Sequence, residues 1–214
     1  MKTTFFRTIG QAVMIFLAVG ISGYAFSYFN FNVQNLLLSK DRELLANVLY
    51  RSAFYMHAGF GAIALFTGSW QFLKKFRNRN LTRHRLLGKI YVCSVLLSSV
   101  AGLGIAAQAT GGLIPRIGFS ILALLWFWTN VQAYRTIRQG NVAAHQQWMT
   151  RNYALTFAAV TLRLWLPLLQ FGFALPFMTA YPIVAWLCWI PNLLVAEWLV
   201  RSQQKEIPAI SQKA

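Results

Sequence analysis

HQQWMTRNYALTFAAVTLRLWLPLLQ, residues His145–Gln170, joins a polar, basic turn to a long apolar run with an arginine deep inside it. The turn holds His145, Gln146, Gln147, Trp148, Arg151 and Asn152; apolar and small residues then lead to Arg163. Four residues later Pro167 offers no N–H to the Arg163 carbonyl. About 20 apolar residues cross the roughly 30 Å hydrocarbon core of a bilayer, and this run suits that length. A guanidinium at the centre of such a helix costs roughly 2.5–3.5 kcal/mol on insertion scales. The fold must therefore supply partners for Arg163, and those partners point toward function.

Working outward, the whole chain reads as a membrane protein. Of its 214 residues 57% are hydrophobic and only 11% charged, whereas soluble domains carry about a quarter charged residues. The formal charge of +16 does not indicate nucleic acid, because Lys and Arg sit in short gaps between apolar runs and not on the face of a soluble domain. Cys93 and Cys188 lie inside apolar segments without metal-ligand spacing and read as buried hydrophobes, not as a disulfide. No GxSxG, HExxH, Walker loop or CxxCH is present, which removes support for hydrolase, ATPase and c-type cytochrome functions.

Six spans are expected, at residues 8–31, 51–73, 88–110, 116–134, 145–171 and 178–199. They form one all-α domain over 1–200, followed by a polar tail, 201–214. The first run is too long for a signal-peptide core and ends in aromatics, as a retained helix with an interfacial belt would. Residues 32–50 read as a mixed loop with a short interfacial helix. Thr82 and Asn141 are expected helix caps, and Gly111, Gly112 and Pro115 a tight turn. Six crossings place both termini on one side. That side, with the 74–89 segment and the 135–151 linker, carries 15 Lys and Arg; the other carries Lys40, Arg42, Arg51 and Arg116. The bias puts both termini in the cytoplasm, in a bacterial inner membrane. The basic segment Lys74–Lys89 is expected on anionic lipid headgroups. Trp126, Trp128, Trp165, Trp186, Trp189 and Trp198 read as belt and packing residues.

Only three histidines are present, so each can be placed. His84 and His145 fall in the first turns of cytoplasmic-side helices; His57 lies roughly 20–25 Å away in depth, at a rise of about 1.5 Å per residue. His84 and His145 are therefore a candidate axial pair for the iron of one haem b, with Gly88 leaving room for the macrocycle and Arg83, Arg85 and Arg151 available to its propionates. Arg163 falls within a turn of the depth of His57, so His57, Arg163 and Gln170 form a second candidate pocket for a quinone, a haem edge or an anion. Glu197 is an obvious charge partner for Arg163, but a depth mismatch of about 10 Å argues against it.

Three segments, HAGFGAIALFTGSWQF (57–72), HRLLGKIYV (84–92) and HQQWMTRNYALTFAAVTLRLWLP (145–167), together resemble a family of bacterial predicted membrane proteins, domain-of-unknown-function family 2306. The resemblance matches His57, Trp70, Gln71, Phe72, His84, Arg85, Gly88, His145, Trp148, Met149, Arg151 and Arg163 to the family's motif positions. It implies multi-pass architecture and brings no established activity. A looser similarity, of architecture alone, is to transmembrane b-type cytochromes. Those use four histidines as two axial pairs, so three histidines allow at most one bis-histidine haem.

The chain thus reads as an all-α bundle of six transmembrane helices. Its leading functional reading is haem b binding and electron transfer, with quinone or a redox protein as partner. The alternatives are a small transporter or ligand-binding protein using His57 and Arg163, and a non-catalytic assembly factor.

Overall fold

The structure, a computed structural model, describes residues 2–30 and 42–205. Among them there is no strand. The helices are α1 (Lys2–Ala25, continued by a 3-10 turn Phe26–Asn30), the short α2 (Arg42–Ala46), α3 (Val48–Gln71), the short α4 (Lys74–Arg79), α5 (Leu81–Ala106), α6 (Leu113–Arg138), α7 (Val142–Thr156), α8 (Ala158–Pro167), α9 (Phe177–Leu187) and α10 (Ile190–Lys205).

Among the described residues five stretches are long and apolar enough to cross a membrane: Thr8–Phe29, Leu81–Ala106, Leu113–Arg138, Val142–Gly172 and Phe177–Ser202. The expected second span, α3, has 24 residues and is not among them. Several of its polar side chains turn inward. His57 bonds Ser98, Ser69 bonds the Phe66 carbonyl and Gln71 the His84 carbonyl. Met56, Ile63 and Phe66 stay on the outer surface.

Asparagines start three of the long helices. Asn47 Oδ1 accepts from the Leu49 and Tyr50 amides, Asn80 Oδ1 from Arg83 and Asn141 Oδ1 from Ala144, satisfying orphan donors of the first turn. Asn141 is the expected cap. Thr82 is not: Asn80 takes that role and α5 begins at Leu81, so the third span starts well before residue 88. Much of the basic segment is therefore helical, and so is the start of the 135–144 linker, since α6 continues to Arg138. Gly111 and Gly112 turn the chain at φ +93° and +88°, which glycine alone adopts freely. Pro115 lies inside α6, not in the turn. Lys40 and Asp41 of the expected loop and residues 206–214 of the tail lie outside the described residues.

The α7–α8 unit sits at the centre, touching α1, α3, α6, α9 and α10. It breaks at Phe157, while the last span breaks at Cys188–Trp189, just before Pro191. Asn192 joins the two breaks. Its Nδ2 donates to the Ala154 carbonyl (3.2 Å), which in an unbroken helix would take the Ala158 N–H, and also contacts Thr161 Oγ1 (3.0 Å) and the Cys188 carbonyl (2.9 Å). An amide inserted into a helical ladder is a recognised cause of a kink. After Pro167 the chain loosens into a π turn, Leu168–Gly172.

Candidate functional site

Tight turns make α5, α6 and α7 successive antiparallel neighbours, so α5 and α7 run the same way. Between them lies a buried polar hub. Tyr91 O–H donates to Asn152 Oδ1 (2.5 Å) and contacts Thr156 Oγ1 (2.8 Å). Asn152 Nδ2 donates to the Trp126 carbonyl and to Thr129 Oγ1, both at 2.8 Å. The Trp126 indole N–H donates to Thr156 Oγ1 at 2.8 Å. Asn152 is fully buried and Tyr91 equally so. Trp126 is thus an interior residue, whereas Trp128 and Trp198 are exposed as a belt would be.

His84 lies seven residues before Tyr91, and His145 seven before Asn152. Seven residues are close to two turns, so each histidine shares the face of its hub partner and is carried to the same end of the seam, within about a turn of one depth. His145 and Arg77 are within electrostatic reach of His84, and Arg77 also of His145. His145 Nδ1 sits 2.8 Å from the Ala133 carbonyl. A carbonyl only accepts, so Nδ1 carries the proton and Nε2 keeps its lone pair. His84 Nδ1 is buried without a partner, and so is Gln71 Oε1. Gln71 Nε2 reaches the His84 carbonyl at 3.4 Å. A Cβ added at Gly88 would meet nothing within 4 Å.

Of the other expected members, Arg83 and Arg85 are exposed. Arg151 is engaged elsewhere, through a two-pronged pair in which Nε meets Glu197 Oε1 and Nη2 meets Oε2, with its guanidinium 4.8 Å from the Trp148 ring. Binding a propionate would require Arg151 to leave Glu197. Glu197 accordingly pairs with Arg151 and not with Arg163.

At the other end, Arg163 Nη1 donates to the Ala159 carbonyl (2.7 Å) and Nη2 to Tyr28 O–H (2.9 Å). The Tyr24 and Tyr28 rings lie 5.8 Å from its guanidinium carbon, close enough for cation–π attraction. The fold thus answers the cost of the intramembrane charge with the aromatic end of α1. His57 Nδ1 lies 2.9 Å from the Ser98 carbonyl, Ser98 O–H donates to the His57 carbonyl (2.8 Å), and the imidazole meets Trp126 edge-on at 6.3 Å. Arg163 is within electrostatic reach of His57. Gln170 lies in the π turn, and no hydrogen bond among the described residues joins it to either.

The hub residues Tyr91, Thr129 and Thr156 escape sequence reasoning, since no local pattern sets them apart from other polar residues of the apolar runs. The available signal is the offset of seven shared by His84 with Tyr91 and His145 with Asn152.

A family model described as predicted membrane protein (DUF2306) matches residues 54–200, which include all three histidines, the hub and Arg163. No curated protein and no solved structure matches the chain.

Proposed function

The chain belongs to the predicted membrane protein family DUF2306, and from that premise we propose that it is an electron-transfer protein in which His84 and His145 would hold one haem b between α5 and α7. The observation that carries this reading is the matched register of the two helices, which brings both imidazoles to one end of a seam already closed by the Tyr91–Asn152 bond. His145 has one feature of a ligating imidazole, its Nδ1–H anchored on a backbone carbonyl, which leaves the lone pair on Nε2. His84 has no such anchor: its Nδ1 and Gln71 Oε1 are both buried without a hydrogen-bond partner among the described residues, and in this reading the Gln71 amide would supply the acceptor when haem binds. Among the described residues no group of three or more His, Cys, Asp and Glu gathers that could hold a metal ion. Two imidazoles would suffice, however, to hold an iron that a macrocycle already carries. Bound there, haem supplies one-electron chemistry; Arg77 and Arg85 offer cationic partners to its carboxylates.

The decisive measurement is the visible spectrum of the full chain purified after expression with ample haem. A Soret band is expected, lost in His84→Ala and in His145→Ala. Gln71→Leu is expected to weaken haem retention about 10–100-fold, as removal of a partner behind a ligating histidine does. Colourless wild-type protein, or a band that survives both histidine substitutions, overturns the reading.

The same proposal takes α3 as a sixth crossing, with both ends of the chain on the cytoplasmic face and the basic α4 segment on anionic headgroups, at about 1 kcal/mol per basic residue. Ser52→Cys and Arg79→Cys, each made in a chain lacking Cys93 and Cys188, should react with an impermeant thiol reagent from opposite faces. Labelling of both from one face would remove α3 from the spans.

A further inference from the structure

We propose that the face of the bundle presenting Arg163 is a recognition surface for a separate transmembrane helix, and that α1 occupies it as an internal partner selected by its tyrosines. The α1 helix and its 3-10 turn lie outside residues 54–200, the stretch that the family model matches. Within that stretch the Arg163 guanidinium has one hydrogen bond, from Nη1 to the Ala159 carbonyl at 2.7 Å, one turn back along its own helix. Its other hydrogen bond and both its ring contacts among the described residues cross to the N-terminal element. Nη2 donates to Tyr28 O–H at 2.9 Å, and the Tyr24 and Tyr28 rings stand 5.8 Å from the guanidinium carbon. The bond to the preceding turn keeps the charge inside the span Val142–Gly172, where a guanidinium left to lipid is costly. That face therefore calls for a helix that brings an acceptor and ring faces to the same depth.

The first helix is built as such a partner. Ala18, Ser22 and Ala25 are buried, at steps of four and three that keep them on one face, and small residues there let two helix backbones approach closely. Met14, Leu17 and Ile21 pack against the core beside them. Tyr28, three residues beyond Ala25, extends the stripe to Arg163. Ile9, Val13, Phe16 and Val19 are exposed, as a lipid-facing side would be. The helix packs on α3 and α8, and polar contacts hold it near either end. Gln11 Nε2 donates to the Phe72 carbonyl at 3.4 Å, and Tyr28 accepts from Arg163 with its ring 5.8 Å from Phe54. Tyr24 braces Tyr28 edge-on, their centroids 5.5 Å apart. Apolar packing alone discriminates poorly between helices in a bilayer, because lipid tails are as apolar as leucine. The clasp of Arg163 by tyrosines supplies the discrimination.

Docking of α1 does not depend on haem, and its test reads no haem signal, so the two readings fail separately. A site for a sequence-specific protease is inserted between Ser39 and Lys40, and the full chain is purified in detergent and only then cut. Wild-type α1 is expected to stay with the remainder through dilution and gel filtration. Arg163→Leu should release it at least about tenfold faster, the equivalent of one charge-assisted hydrogen bond. The double variant Tyr24→Leu with Tyr28→Leu should do the same. Phe16→Leu, on the exposed side of the helix, should hold α1 as the wild type does. Release of α1 from the cut wild-type chain, equal retention in wild type and Arg163→Leu, or faster release from Phe16→Leu would each overturn the proposal. Should Arg163→Leu not fold, the double tyrosine variant decides: faster release supports the recognition, and unchanged release overturns it.

Discussion

Gly68→Ala is expected to destabilise the bundle by about 3 kcal/mol, the upper end of what overpacking a core ordinarily costs. A Cβ at this position would lie 2.6 Å from Cε2 of Tyr153 and 2.6 Å from Cε2 of Tyr91, well inside van der Waals contact. Neither ring has room to yield. Tyr91 is tied through its hydroxyl to Asn152 and Thr156; Tyr153 donates to the Leu65 carbonyl at 3.3 Å and packs 4.9 Å from Phe72. The comparison variant is Gly104→Ala, where the added methyl meets nothing within 4 Å. Helix propensity favours alanine over glycine by about 1 kcal/mol, so Gly104→Ala should be neutral or mildly stabilising. Thermal unfolding of the two variants in one detergent separates the effects. Equal lowering of both would mean that helix backbone, and not ring packing, sets the cost.

The second large effect is expected at the hub. Asn152→Leu keeps the volume nearly constant but removes an acceptor for Tyr91 and the donors to Trp126 and Thr129 at once. An average interhelical hydrogen bond in a membrane is worth only about 0.6 kcal/mol, and about 1.7 at most in measured cycles. Asn152 makes three, and its loss leaves buried groups unpaired at about 1–3 kcal/mol each. A total near 3 kcal/mol is therefore expected, against about 1 for Tyr91→Phe. In a double-mutant cycle the two should couple by at least about 1 kcal/mol. Strict additivity would show that Tyr91 and Asn152 do not share their bond in solution.

Much of this architecture is legible in the residues, and the limits have physical causes. The apolar runs locate the membrane-crossing helices because lipid demands continuous apolar length. They do not locate helix ends, since hydrogen bonding continues through Arg83, Arg85 and Lys89 as readily as through leucine; Asn80, not the edge of the apolar window, starts α5. Depth counting correctly disfavours a Glu197–Arg163 pair, but the alternative partner, Arg151, follows only from the rotation of α10 against α7. The tyrosines that shield Arg163 come from α1, 135 residues away from it in the case of Tyr28. No local pattern announces a contact of that separation. Spacing puts His84 and His145 each seven residues before a hub residue, and the Tyr91–Asn152 bond that joins their helices is what spacing alone does not give.

Asn192 couples two bends that would otherwise be independent. Its single amide occupies carbonyls on both sides, Ala154 of one helix pair and Cys188 of the other. Straightening either span withdraws an acceptor that the other bend relies on. The two bends therefore depend on one side chain.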